Sequence, residues 1–175
     1  MKILDAGCGK GRNLVYFLRN HFEVYGIDQN RQAVENVRNL AKFLTQKLSR
    51  RNFQESTVEE MPFSDEYFDA LISSAVIHFT ESERHFNLMI KEMWRVLKRG
   101  GLLFVRLASS IGIEDKIELV NERRYLLPDG SERFLVDEDL LLSLTNQLKG
   151  TLTEPIKTTN VQNMRCMTTW VLRKQ

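Results

Sequence analysis

The sequence predicts an α/β fold, an open and mostly parallel sheet covered by helices on both faces, and three observations predict it. Short apolar segments alternate with segments whose apolar residues recur every three or four positions. A glycine-rich turn joins the first such pair. The links between the apolar segments are long enough to hold helices, and strands connected that way pair in parallel through right-handed crossovers.

Met1 to Ala6 is a short apolar strand that enters Gly7-Cys8-Gly9-Lys10-Gly11, after which Leu14, Val15 and Leu18 fall at helical spacing. Glu23 to Asp28 reads as the second strand. Arg31 to Ser49 carries Ala33, Val34, Val37, Leu40, Ala41, Leu44 and Leu48 as one apolar stripe. Phe53 to Thr57 is a weak third strand and Phe68 to Ser74 an apolar fourth. A helix from about Ser82 to Lys98 presents Phe86, Ile90, Met93 and Leu97, and Gly100-Gly101 stops it. Leu102 to Ala108 is the fifth strand. The rhythm then breaks. After a helix near Asp137 to Leu148, Thr151 to Thr159 and Met164 to Arg173 read as strands separated only by Asn160 to Asn163, too short for a parallel crossover, so this pair is expected as an antiparallel hairpin. Trp170 and Met164 are expected in the core.

A length of 175 residues fits one domain spanning 1–175. Lys plus Arg is 25 and Asp plus Glu 23, a net charge of +2, with 27% charged and 42% hydrophobic residues, which excludes a disordered chain or a polyanion-coating tail. Apolar stretches such as Leu102 to Val105 fall far short of the roughly 18 residues of a membrane span. The start, Met1-Lys2-Ile3-Leu4-Asp5, has no export signal, so the cytoplasm is the expected compartment and no membrane partner is expected. Cys8 and Cys166 have neither disulfide-framework nor zinc-ligand spacing, and no metal site is expected. Lys42, Lys47, Arg50 and Arg51 cluster without interleaved aromatics, so a solvated helix end is favoured over a nucleic-acid surface.

The chemistry is concentrated around the glycine loop. In an open parallel sheet, ligands bind beyond the carboxyl ends of the strands where the strand order reverses. Glycines there allow a tight turn and a close ligand, and free amides at a helix start favour a negative group. Asp28 ends the second strand 21 residues after Gly7, the separation at which one βαβ unit returns a carboxylate beside the loop to accept both hydroxyls of a ribose. A dinucleotide fingerprint would need a third glycine where this chain has Arg12. Asp5, two residues before Gly7, would repel a pyrophosphate but could receive an ammonium group. A nicotinamide-dependent dehydrogenase is therefore set aside, and an amino-acid ligand end fits better.

The run Ile3-Leu4-Asp5-Ala6-Gly7-Cys8-Gly9-Lys10-Gly11-Arg12-Asn13 resembles motif I of the class I S-adenosylmethionine-dependent methyltransferases, in the methyltransferase type 11-like branch. Gly26-Ile27-Asp28 resembles its ribose-binding acidic motif, Val58 to Asp69 its adenine loop and fourth strand, and Val96 to Gly101 its turn before strand five. The resemblance covers about Met1 to Ala108, and it implies a Rossmann-like, seven-stranded sheet closed by the C-terminal hairpin. It further implies S-adenosylmethionine as cofactor and S-adenosylhomocysteine as product. The cofactor-binding residues it implies are Asp5, Gly7, Cys8, Gly9, Gly11 and Arg12 towards the methionine part, Asp28 and Gln29 at the ribose, Thr57, Val58 and Glu59 at the adenine, and Ser74 near the methionine amino group. Thr57 stands where many relatives have an aspartate, a role that Glu59 could take, and Arg99 replaces a proline in the turn before strand five. Relatives also carry a covering helix before motif I, so either the chain is incomplete there or another subunit supplies the lid.

A sulfonium methyl is already activated, so alignment and exclusion of water dominate and few catalytic side chains are obligatory. His78 is the one weak candidate for a base, against a helix-entry residue facing solvent or packing on the cofactor; His85 is expected to be an exposed helical residue. Ser73-Ser74-Ala75-Val76 lacks the (Asp/Asn)-Pro-Pro-aromatic motif of enzymes that methylate base amines, which disfavours that chemistry. Arg106, Arg123, Arg124, Tyr125 and Arg133 surround Pro128-Asp129-Gly130 and could hold an anionic substrate, against ordinary surface charge beside a hairpin. The expected activity is methyl transfer to a small-molecule acceptor. A non-catalytic cofactor-binding protein or partner subunit is the alternative, and a homodimer or a lid-supplying partner is the expected assembly.

Overall fold

The computed structural model describes residues 1–45 and 49–175. β1 (Lys2–Ala6) passes through the glycine loop and a 3-10 turn at Arg12–Leu14 into a five-residue α1 (Val15–Arg19). β2 (Glu23–Asp28), α2 (Arg31–Leu44) and β3 (Phe53–Glu55) follow, then β4 (Phe68–Ser74), α3 (Glu83–Val96) and β5 (Leu97–Ser109). β6 (Glu118–Asn121), β7 (Arg124–Leu126) and β8 (Glu132–Phe134) precede α4 (Glu138–Gln147), and β9 (Gly150–Leu152), β10 (Lys157–Val161) and β11 (Arg165–Lys174) end the chain.

The main sheet has the order β10-β11-β5-β4-β1-β2-β3, with β9 as an extra short partner of β11. β1, β2, β3, β4 and β5 are parallel, whereas β11 runs antiparallel to β5, β9 and β10. The path has the expected seven strands and closing hairpin, and β9 is an addition. Alternate side chains of β2 enter opposite cores, because successive strand residues point to opposite faces. Val24 joins Leu14, Leu18, Val37 and Phe53 under α1 and α2. Ile27 joins Phe86, Ile90, Met93, Leu141 and Trp170 under α3 and α4.

Several boundaries differ from the sequence reading, each for a physical reason. α2 ends at Leu44, with Thr45 extended (φ −154°); the expected continuation through Lys47 and Leu48 lies outside the described residues. α3 ends at Val96 rather than at Lys98, because Leu97 already pairs with Phe68. Sheet pairing outcompetes the apolar helical stripe there. The strand continues through the glycines, with Gly100 at φ +75° and a register shift between Phe68 and Ala70. The expected strand Thr151 to Thr159 is split into β9 and β10 around Pro155, which has no N–H for a ladder. The hairpin loop is Gln162 to Met164, with Gln162 and Asn163 at positive φ and Met164 N–H donating to the Val161 carbonyl at 3.0 Å. Trp170 is fully buried and donates from Nε1 to Thr145 Oγ1 at 3.0 Å, whereas Met164 is 40% exposed and not core. The segment between β5 and α4 folds into a three-stranded antiparallel sheet, β6-β7-β8, which the sequence reading lacked. Among the described residues no helix is long and apolar enough to cross a membrane.

Candidate functional site

The strand order reverses at β1, between β2 on one side and β4 on the other. A cavity of about 610 Å³ opens there beyond the carboxyl ends of these strands, the position that an open α/β sheet offers a ligand. Its walls come from four places: the loop after β1, the tip of β2, the segment after β3, and the stretch from β4 into α3.

Gly7 carries φ +83°, and a Cβ there would stand 2.4 Å from Val76 Cγ2. Only glycine lets the loops after β1 and β4 approach this closely. The amides of Gly7, Cys8, Gly9 and Gly11 are already engaged within the protein. Gly7 and Cys8 donate to the Ile27 carbonyl at 2.9 and 2.8 Å, Gly11 donates to Cys8, and Gly9 donates to Asp28 Oδ2 at 2.8 Å. The amides expected to meet a negative ligand group are therefore spent on holding the loop against β2. The helix dipole expected behind them is also weak, since a 3-10 turn intervenes and α1 has five residues.

Asp28 sits at the lip, its Oδ1 accepting from the Asn30 amide at 2.9 Å and its Oδ2 from Gly9. Each carboxylate oxygen has a second lone pair, so the group can still accept from a ligand diol. Gln29, Thr57, Val58 and Glu59 join it in the cavity wall, as the resemblance implies. The segment after β3 is held from behind by α3: Met61 donates to Glu92 at 2.8 Å, and Arg95 donates to the Phe63 and Met61 carbonyls while paired with Glu92.

Five expected residues do not reach this wall. Cys8 is buried under Gly26, and burial pushes its thiol up, so it is unreactive. Gly11 packs on Val37 and Leu40, Arg12 is exposed, and Ser74 pairs with Arg106 within the sheet. Asp5 is fully buried behind the loop. Its Oδ2 accepts from Asn13 at 3.4 Å and its Oδ1 has no partner. Burial raises its pKa to about 7, Asn13 opposes the shift, and the charge of Asp28 adds to it.

The sequence reading missed the contribution of α3. His85 is not simply exposed: it lines the cavity, with Nε2 3.4 Å from Glu59 Oε2. Phe79, Thr80 and Met89 line it too. For Phe79 and Thr80 the signal was positional, since they lie close after the carboxyl end of β4, whereas Met89 sits on α3. His78 faces elsewhere. Its Nδ1 accepts from the Ala108 amide at 3.0 Å, so the neutral ring carries its proton on Nε2 and presents a donor, not a base. Burial, reinforced by Arg133, Arg106 and Arg165, lowers its pKa to about 4. It lines a second cavity of about 250 Å³ that shares Ala75 and Phe79 with the first.

The sequence matches the methyltransferase domain family over residues 4–105, more than half of the chain. The chain belongs to this family, the class I S-adenosylmethionine-dependent methyltransferases. It is similar to YodH, an uncharacterised methyltransferase of Bacillus subtilis, at 31% identity over 64% of this chain and 42% of that protein. It is 29% identical to the mouse mitochondrial ubiquinone biosynthesis O-methyltransferase over 80% of this chain and 39% of the relative. The chain thus spans less than half the length of these curated relatives. Among solved structures, 1,6-didemethyltoxoflavin-N1-methyltransferase of Burkholderia thailandensis, with bound S-adenosylhomocysteine, superposes with a TM-score of 0.76 at 18% identity, covering 99% of this chain and 71% of that one. That likeness shows the fold.

Proposed function

We propose that this chain is the S-adenosylmethionine-binding domain of a methyltransferase whose acceptor is a small molecule. One observation carries the reading: Asp28, anchored by the Gly9 and Asn30 amides, offers free lone pairs in a cavity placed at the switch point of the sheet. The residues present fit the cofactor. A carboxylate suits the ribose diol and the Val58–Glu59 wall suits an adenine edge; Asp5, shut behind the loop, takes no part in that fit. When bound, the cofactor supplies a sulfonium methyl that needs no further activation.

The chain's own residues then bind, orient and exclude water. Val58 and Met89 supply apolar wall, Glu59 is steadied by His85, and Phe79 separates the cofactor cavity from the second cavity. A small-molecule acceptor is supported by the size of that second cavity, about 250 Å³, and by the absence of a base-amine motif after β4. Calorimetric titration with S-adenosylmethionine and S-adenosylhomocysteine tests the reading. Both are expected to bind, and Asp28→Asn is expected to weaken both by about 10- to 100-fold, the worth of hydrogen bonds to a charged group, with a modest fall in melting temperature because one amide oxygen cannot serve both the Gly9 and Asn30 N–H groups. A folded protein that gives no heat with either ligand refutes it.

A further inference from the structure

We propose that the second cavity is an oxyanion subsite, holding a carboxylate or phosphate group of the acceptor beside the methyl-donor cleft. The inference deepens the reading above and rests on it. Arg106 from β5, Arg133 from β8 and Arg165 from β11 meet in this cavity, although they are far apart in sequence. Asp129 is the one carboxylate with them in the wall. It is already committed: its Oδ1 accepts from the Ser131 amide and hydroxyl, and its Oδ2 lies 3.5 Å from Arg165. The wall therefore carries two positive charges in excess.

The individual arginines differ from their neighbours in a way that singles out this cavity. Arg123 and Arg124, which the sequence groups with them, are tied off by Asp137 at 2.7 Å and Glu132 at 3.1 Å. Arg106 has, among the described residues, no carboxylate within ion-pair distance, although it is half-buried. Arg133 Cζ lies 4.6 Å over the Phe79 ring, the same ring that borders the cofactor cavity, which places the guanidinium at the junction of the two spaces, with Nη1 donating to the Glu132 carbonyl and its other N–H groups left for a ligand. His78 adds a neutral N–H, because its other nitrogen is held by Ala108. Guanidinium groups present paired donors that match the two oxygens of a carboxylate or phosphate, and partial enclosure strengthens such contacts. An anion docked here would place the rest of the acceptor at Ala75 and Phe79, the boundary with the donor cleft.

The test uses three small probes, inorganic phosphate, benzoate and neutral benzamide, on isotopically labelled protein with and without S-adenosylhomocysteine. Phosphate or benzoate is expected to shift the arginine Nε–H signals and the His78 ring signals saturably, while benzamide leaves them unmoved. Arg106→Gln is expected to weaken the anion about tenfold or more and to leave S-adenosylhomocysteine affinity unchanged. Arg133→Gln gives the same readout if the first variant fails to fold. The better-bound anion tells which acidic group the acceptor carries. Normal S-adenosylhomocysteine binding with no response to either anion overturns the subsite while sparing the cofactor reading. Anion binding to a folded protein that takes no S-adenosylhomocysteine overturns the cofactor reading, and the acceptor role falls with it.

Discussion

Gly7 and Gly9 stand two residues apart and require glycine for different reasons. At Gly7 the backbone is left-handed and a Cβ would collide with Val76 at 2.4 Å. At Gly9 the backbone is also left-handed, φ +51°, yet nothing lies within 4 Å of the missing Cβ, and the residue lines the donor cavity. Gly7→Ala is therefore expected to cost the fold roughly 3 kcal/mol, overpacking added to an unfavourable φ. Gly9→Ala should cost the fold about 1 to 2 kcal/mol, with lost S-adenosylhomocysteine affinity as its main effect. Urea denaturation and calorimetry on the same two variants separate the cases, and equal stability losses would contradict the contrast.

The helices that shape the site begin where side chains cap them. Asn30 accepts from the Gln32 and Ala33 amides, Ser82 from His85, and Asp137 from Leu140, each satisfying first-turn donors that have no partner inside the helix. Asn30 has a second part to play, but through its backbone, which donates to Asp28. Asn30→Ala is thus expected to lower stability by about 1 kcal/mol in thermal melts while S-adenosylhomocysteine affinity stays nearly constant. A large loss of affinity would mean that the cap itself positions Asp28. Elements whose signal is local were readable in this chain: β1, β2 and β4 from apolar runs, and the α2 start from its cap and stripe. Those decided by a distant partner were not. Leu97 has the spacing of the α3 stripe and yet pairs with Phe68, and β6, β7 and β8 have too few buried residues to show any alternation.

Across the whole molecule, two buried titratable groups pull stability in opposite directions with pH. Asp5 has its pKa raised from 3.8 to about 7, chiefly by burial, so its contribution is fully present below pH 3.8 and is lost as pH rises through 7. His78 has its pKa lowered from 6.5 to about 4, again chiefly by burial, so its contribution is present above pH 6.5 and is lost as pH falls towards 4. Between pH 4 and 6.5 the two oppose each other, and the wild-type melting temperature should vary little on their account. Asp5→Asn removes one side of the balance. In scanning calorimetry the variant is expected to be more stable than wild type at pH 8, by about 2 to 4 kcal/mol, and to lose stability steadily on acidification from pH 6.5. A variant with the wild-type pH profile would show that Asp5 does not titrate in this range. Local signals in the chain were enough for the sheet-and-helix alternation, the loop with its partner Asp28 and the family, because apolar period, glycine placement and strand length act over neighbouring residues. The three-dimensional packing settled that four of the loop amides are spent on Ile27, Cys8 and Asp28, that Asp5 is buried behind them, and that Arg106, Arg133 and Arg165 converge while Arg123 and Arg124 do not. Convergence of that kind depends on strand order and crossover, which bring together residues that no local pattern connects.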